Sequence, residues 1–121
     1  MTGGQMAPTT LAGQKATTAP TGRKPELSGM PLKMSEIIAE VPGAAYVERG
    51  SLHNPKHIRK AKKAILKGFR CQQESRGFAM VELLSTCPTG WGLDPVEAME
   101  WLEANMIPYY PLGVFRAPEE V

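Results

Sequence analysis

A long basic helix between two apolar runs constrains the fold of this chain more than any other feature. Asn54 and Pro55 suit an N-cap and a first helical position, and the helical pattern continues to about Gln73. Residues 44–48 before it and residues 78–84 after it are short apolar runs typical of buried strands. A strand, a helix and a second strand make a βαβ crossover, whose two strands lie parallel. The sequence therefore predicts an α/β fold with a partial parallel sheet.

Two more helices are predicted outside this crossover. Residues 33–41 place apolar side chains at helical spacing before a Pro-Gly pair. A third helix begins at Asp94, an N-cap followed three residues later by Glu97, and Pro108 and Pro111 are predicted to end it. Residues 109–115 form either a short edge strand or a packed tail. The predicted buried stripe of the third helix consists of Met99, Leu102 and Met106.

The long helix has an apolar stripe and a strongly basic remainder. The stripe predicted to pack against the sheet is Ile58, Ala61, Ile65 and Phe69. The basic residues are Lys56, Arg59, Lys60, Lys62, Lys63, Lys67 and Arg70. A solvated helix face is the favoured interpretation, and a docking face for an acidic partner is the alternative. No aromatic residues interleave with the basic ones and the net charge is only +2, so no nucleic-acid partner is expected.

The N-terminal segment has a different composition from the rest of the chain. Residues 1–31 are rich in proline, glycine and threonine and carry few large apolar side chains, which predicts an extended or looping segment. Residues 32–121 supply the core of the predicted α/β unit. The segment opens on paired glycines beside a hydroxyl, whose N–H groups and oxygen suit the binding of phosphate oxygens. This predicted phosphate turn consists of Thr2, Gly3, Gly4 and Gln5.

Several motifs resemble those of one enzyme family over nearly the whole chain. The opening MTGGQMAPTT resembles the thiamine-diphosphate loop of 2-oxoacid:ferredoxin oxidoreductase β subunits. The same run begins with the core of a common expression tag, but its continuation to Thr10 favours the enzyme loop. Other similar segments are SLH at 51–53, KHIRKA at 56–61, LSTCPTGWG at 84–92, and IP at 107–108 with PLGVF at 111–115. The likeness is strongest to the 2-oxoglutarate and branched-chain members.

This resemblance implies the C-terminal portion of a thiamine-diphosphate-binding fold in the β subunit of a hetero-oligomeric enzyme. The implied reaction is the oxidative decarboxylation of a 2-oxoacid, with 2-oxoglutarate as the expected substrate, to an acyl-CoA. The implied partners are other oxidoreductase subunits, ferredoxin, the 2-oxoacid and coenzyme A. The implied cofactors are thiamine diphosphate and Mg²⁺, and no catalytic residue is assigned. The matching cofactor-binding residues are Thr2, Gly3, Gly4 and Gln5.

The sequence also departs from the family pattern. The Gly-Asp-Gly segment whose aspartate holds Mg²⁺ in the family would precede the loop, so the metal ligands are expected outside this chain. Related two-subunit enzymes carry a lysine where Gly3 stands, which leaves the substrate open. Residues 6–70 contain no cysteine, so an iron–sulfur cluster is expected in a partner subunit. The isolated chain is expected to be inactive. The alternative is a truncated, non-catalytic subunit-interaction module.

The remaining reactive side chains favour structural roles. His53 and His57 lack a third metal ligand nearby, so neither is predicted to bind metal. Cys87 has no histidine base beside it and is predicted to line a pocket or pack, while Cys71 lies in no metal-binding spacing with it. Free cysteines and the absence of an apolar run of membrane-spanning length predict a cytoplasmic location without membrane contact.

Overall fold

The computed structural model of the chain describes residues 5–118. The elements in chain order are α1 (Pro25–Ser28), α2 (Met34–Ala39), β1 (Ala44–Ser51), α3 (Pro55–Gln73), β2 (Phe78–Leu84), α4 (Pro88–Trp91), α5 (Pro95–Trp101), a π-helical turn (Leu102–Met106), α6 (Ile107–Tyr109) and β3 (Gly113–Arg116). The predicted α/β class is confirmed. The short helix α1 lies in the segment for which the sequence predicts no helix, with Pro25 at its first position. No helix within residues 5–118 has the length and apolarity needed to cross a membrane.

The three strands form one mixed sheet in the order β2, β1, β3. The pairing of β1 with β2 is parallel, with Val47 opposite Met80, as the βαβ prediction requires. The pairing of β1 with β3 is antiparallel, with Glu48 opposite Val114. Residues 113–116 are therefore an edge strand, which decides between the two alternatives for the C-terminal segment. The other edge of the sheet is β2.

Helix α3 packs on the sheet through small residues rather than through the predicted stripe. Its buried residues are Ala61, Ala64, Gly68 and Cys71. A Cβ placed on Gly68 would lie 3.6 Å from Val81 Cγ2, so the helix backbone approaches β2 closely. The predicted stripe is wrong for three of its four members. Ala61 is buried, but Ile58, Ile65 and Phe69 are 48%, 38% and 66% exposed.

The third predicted helix differs from its prediction in two ways. Asp94 and Glu97 form a capping box at the start of α5, as predicted. Leu102 and Met106 are buried in a cluster with Leu84 and Tyr110, but Met99 is exposed. The helical segment passes Pro108 and continues through α6 as far as Tyr109, two residues before Pro111. The π-helical turn that precedes α6 ends at Met106, two residues before Pro108.

A buried arginine joins the sheet to α2 and to the segment before β3. The predicted first strand continues past Glu48, and the Arg49 side chain on it is fully buried. Arg49 donates to both carboxylate oxygens of Glu36, at 2.9 and 2.5 Å, and to Glu82 at 2.8 Å. This hydrogen bonding holds the pKa of Glu36 below its ordinary value of 4.5. The guanidinium also lies 5.0 and 4.9 Å from the ring centres of Tyr110 and Phe115.

Candidate functional site

The segment that follows Gln5 is held in place by Arg23. This residue is 6% exposed, and its guanidinium nitrogens donate only to backbone carbonyl oxygens. Nη1 reaches three acceptors at 3.1 to 3.2 Å, which are the oxygens of Ala7, Pro8 and Thr10. Nε and Nη2 reach three more at 2.9 to 3.3 Å, which are those of Gly29, Ser28 and Met30. The hydrogen bonds of Arg23 therefore link residues 7–10 to residues 28–30.

A close contact between two glycines brings Arg23 to this position. The N–H of Gly13 donates to the carbonyl oxygen of Arg23 at 2.8 Å, and the N–H of Arg23 donates to that of Gln14 at 3.1 Å. Gly22 has a φ of +86°, and a Cβ on it would lie 2.8 Å from the carbonyl oxygen of Gly13. Only glycine fits at position 22 without moving this turn.

The same segment lies at the carboxyl edge of the parallel strands. Leu11 packs against the cluster that contains Leu84, the last residue of β2. The N–H of Thr17 donates to the carbonyl oxygen of Gly90 at 2.9 Å, in the loop that follows β2. Ligands of open α/β sheets bind beyond this edge. The chain that continues from Gln5 therefore lies beside the usual ligand position of the fold.

A cavity of about 390 Å³ opens between this segment and the C-terminal helices. Its volume lies in the range of small-molecule sites. Trp91 and Trp101 form part of its wall, with ring centres 5.0 Å apart, and Lys15 is its charged lining residue. The cavity offers aromatic surface, one amine and the amides of Gln14 and Asn105, so it suits a partly apolar ligand that carries an anionic or hydrogen-bonding group.

A second polar cluster occupies the same edge, beyond β1. The Nδ1 atom of His53 lies 2.7 Å from Ser51 Oγ, and its Nε2 atom lies 3.0 Å from Asn54 Nδ2. The Oδ1 atom of Asn54 caps α3 through the N–H of His57 at 2.9 Å and lies 2.8 Å from His57 Nδ1. In this amide orientation Asn54 donates to His53 and accepts from His57, so neutral histidines carry their protons on Nδ1. Desolvation by burial, assisted by the neighbouring His53, lowers the pKa of His57.

Of the four residues predicted to bind the cofactor, only Gln5 lies in the described part of the chain. Thr2, Gly3 and Gly4 lie outside the described residues, and Gln5 is exposed. Cys87 is exposed and Cys71 is buried, both as free thiols. Residues 5–118 contain no group of three or more His, Cys, Asp and Glu side chains placed to hold a metal ion.

No sequence pattern singled out Arg23 as an anchor of the N-terminal segment. Its six acceptors are backbone oxygens distant in sequence, and it forms no ion pair within the described residues. The nearest signal in the sequence was its position after Gly22 in a proline-rich segment. Because every acceptor of Arg23 is a backbone carbonyl oxygen, no acidic residue in the sequence indicates that this arginine is buried.

The chain is similar to subunits of three related enzymes. It is 44% identical over 116 residues, 96% of its length, to the ketoisovalerate oxidoreductase subunit VorA of Methanothermobacter thermautotrophicus. It is 39% identical over 88% of its length to the 2-oxoglutarate synthase subunit KorB of Methanocaldococcus jannaschii. The chain belongs to the 2-oxoacid:ferredoxin oxidoreductase family. A third member, the pyruvate synthase subunit PorB of M. thermautotrophicus, is 32% identical over 82% of the chain.

These family members are much longer than the chain. The matched region is 24% of the VorA subunit, 37% of the KorB subunit and 32% of the PorB subunit. No protein-family model matches the chain, and no solved structure matches it. The family resemblance carried by the opening loop and the downstream motifs is thus confirmed by whole-chain similarity to curated family members.

Proposed function

We propose that the chain is the C-terminal part of the β subunit of a 2-oxoacid:ferredoxin oxidoreductase. The observation that carries this proposal is the 44% identity to VorA over 96% of the chain. The reaction is the oxidative decarboxylation of a 2-oxoacid to an acyl-CoA, with electrons passed to ferredoxin in the cytoplasm. Thiamine diphosphate supplies the carbanion chemistry when it is bound, and the iron–sulfur clusters belong to a partner subunit.

Thr2, Gly3, Gly4 and Gln5 form the cofactor loop in this proposal. The position of the following residues supports this assignment. Residues 7–17 lie along the carboxyl edge of the sheet and contact the loop after β2, where ligands of such sheets bind. The role of Arg23 is to hold residues 7–10, and thereby to fix where the chain leaves Gln5.

The donor set of the described residues does not fit Mg²⁺. This ion requires oxygen ligands, usually including a carboxylate, in octahedral geometry, and residues 5–118 bring no suitable cluster together. The ligands of Mg²⁺ in this proposal therefore lie outside residues 5–118, and we expect the isolated chain to be inactive. This mismatch also favours the second candidate function, a non-catalytic module of the same family that binds the other subunits.

A branched-chain 2-oxoacid is the first candidate substrate. The two ketoisovalerate subunits are 44% identical to the chain, whereas the 2-oxoglutarate subunits are 33–39% identical. This order favours a branched substrate over 2-oxoglutarate, which the resemblance of the motifs had suggested. Pyruvate ranks third, because the pyruvate synthase subunits are 31–32% identical.

The test uses the enzyme assembled with its other subunits. Reduction of ferredoxin is measured with ketoisovalerate, 2-oxoglutarate and pyruvate in the presence of coenzyme A, and thiamine diphosphate affinity is measured by titration. We expect Thr2→Ala to raise the cofactor concentration needed for half-saturation about tenfold, the effect of losing roughly 1.4 kcal/mol of binding. Thr21→Ala, at an exposed position in a turn, is the matched control and should leave it unchanged.

Two results would count against the proposal. Failure of the wild-type assembly to reduce ferredoxin with any of the three acids would favour the non-catalytic module. An active assembly in which Thr2→Ala and Thr21→Ala need the same cofactor concentration would remove Thr2 from the cofactor site and keep the enzyme assignment.

A further inference from the structure

Helix α3 concentrates the positive charge of the chain. Seven of the fourteen Lys and Arg residues lie in α3, and none of the twelve Asp and Glu residues does. All seven basic side chains are exposed, and we call the surface that they form the basic face of α3. Within residues 5–118 none of these side chains takes part in an ion pair. The charge of this face is therefore uncompensated in the described part of the chain.

The basic face does not stabilise the helix that carries it. Lys56 and Lys60 are four residues apart, as are Lys63 and Lys67, so like charges face each other along one side of α3. Each such pair destabilises a helix by about 0.2–0.5 kcal/mol. Lysines are good helix formers, but alternating glutamates would form an equally good helix without this repulsion. An external acidic surface would turn the repulsion into a favourable interaction.

Apolar side chains lie within and beside the basic face. Leu66 lies among the basic residues and is 52% exposed, and Phe69 lies next to them and is 66% exposed. Protein interfaces combine apolar and aromatic residues at their centre with a polar rim. Stable subunit interfaces are more apolar than short-lived encounters between redox proteins. The combination favours a subunit over a transient electron carrier.

Two other classes of partner fit this surface less well. A helix that binds a membrane surface buries its apolar face in lipid, but the most buried face of α3 is packed on the sheet through Ala61, Ala64 and Gly68. A nucleic-acid surface usually adds hydroxyl and amide side chains to its lysines and arginines. The amide side chains of α3 lie only at its C-terminal end, at Gln72 and Gln73.

We propose that the basic face of α3 binds an acidic surface on another subunit of the complex. The lysine row from Lys56 to Lys67 covers eleven helical steps, about 16 Å, which matches an acidic helix with carboxylates at the same spacing. Charge pairing across this contact orients the two subunits and accelerates their association. This inference rests on the proposed function, because that function supplies the partner subunits.

Charge reversal at Lys63 tests the contact in the assembled complex. The chain and its partner subunits are purified separately, and their association is measured by light scattering at low and at physiological salt. We expect Lys63→Glu to weaken association about tenfold at low salt and Lys63→Gln to weaken it less. Lys24→Glu makes the same charge change at an exposed position outside α3 and should leave association unchanged. Wild-type association should weaken as salt rises.

The variant helix should fold at least as well as the original one. The carboxylate introduced by Lys63→Glu would lie four residues from both Arg59 and Lys67, so the substitution converts repulsive pairs into attractive ones. Weaker association with unchanged helix content therefore reports on the interface. Equal association of Lys63→Glu and Lys24→Glu at every salt concentration would overturn the inference.

Three other outcomes would each overturn either the subunit contact or the proposed function. Normal association of Lys63→Glu with loss of salt-dependent ferredoxin reduction would overturn the subunit contact and assign the face to ferredoxin. Binding of wild type to a DNA duplex that Lys63→Glu abolishes, with normal subunit association, would overturn it in favour of nucleic acid. Failure of the wild-type chain to associate with any oxidoreductase subunit would refute the proposed function itself.

Discussion

The two buried arginines of this chain are stabilised in different ways. Arg49 is neutralised by the carboxylates of Glu36 and Glu82, whereas Arg23 donates only to backbone oxygens. A buried guanidinium is tolerated when its nitrogens are hydrogen-bonded, and all three guanidinium nitrogens of both residues donate to at least one acceptor. Arg49 therefore joins secondary-structure elements through charge, and Arg23 joins irregular backbone segments that have few partners for their carbonyl groups.

Replacing Arg23 should loosen the N-terminal segment without disturbing the sheet. Arg23→Met leaves six backbone carbonyl oxygens without this donor, and we expect a loss of about 3 kcal/mol in the free energy of unfolding. Urea unfolding measures the loss, and limited proteolysis should cleave first within residues 5–31. Lys24→Met, the exposed neighbour, is the control and should change stability by less than about 0.5 kcal/mol. Equal stability of the two variants would contradict the anchoring role.

The pairing of Glu36 with Arg49 predicts a specific acid sensitivity. Because the pKa of Glu36 is lowered below 4.5 in the folded chain, the unfolded chain binds a proton first as pH falls. The stability from this pair is complete above pH 4.5 and is lost as pH falls through the lower folded pKa. Glu36→Gln should reduce stability by about 2 kcal/mol at pH 7 and flatten its dependence on pH below 4.5. Thermal unfolding from pH 3 to 7, with exposed Glu40→Gln as control, measures both effects.

At the scale of elements, periodicity and capping residues identified the crossover but not how it packs. Asn54 caps α3 and Asp94 caps α5, as the sequence predicts, because caps are local interactions. The apolar stripe of α3 was misassigned because Ala64 and Gly68 allow closer contact with the sheet than Ile65 and Phe69 would. The extension of β1 through Arg49 was also missed, since its two carboxylate partners lie on α2 and β2. These features depend on tertiary contacts, which a local pattern does not contain.

The turn between α3 and β2 should depend on Gly77. This residue has a φ of +130°, and a Cβ on it would lie 2.7 Å from the carbonyl oxygen of Gly43. Gly77→Ala therefore combines backbone strain with a collision, and we expect a loss of about 3 kcal/mol. Gly92→Ala separates the two causes, because Gly92 has a φ of +69° with open space around it and should cost about 1 kcal/mol. Equal losses in thermal unfolding would refute the collision with Gly43.

At the scale of the whole molecule, the β2 edge of the sheet has no further strand paired to it within residues 5–118. Strand β2 forms an edge of the described sheet, and a groove of about 180 Å³ lies beside it between α3 and the strand. Ile65 and Phe69 line this groove together with Ala79 and Val81. An apolar edge strand with free backbone groups is a surface for pairing with another chain. Two of the three residues wrongly assigned to the packing stripe of α3, Ile65 and Phe69, therefore belong to this apolar surface.

The isolated chain should self-associate through that surface. A second copy can cover the apolar groove and pair with β2, so we expect size-exclusion chromatography with light scattering to give a mass above the 13.2 kDa of the monomer. Phe69→Ser should shift the mass toward the monomer. Val96→Ser removes a side chain of nearly equal exposure, 65% against 66%, on α5 and should leave the mass unchanged. If both variants behave alike, self-association arises from general exposed apolar area and not from the β2 edge. A difference between them would place the self-association at the groove between α3 and β2, since Phe69 lines that groove and Val96 does not.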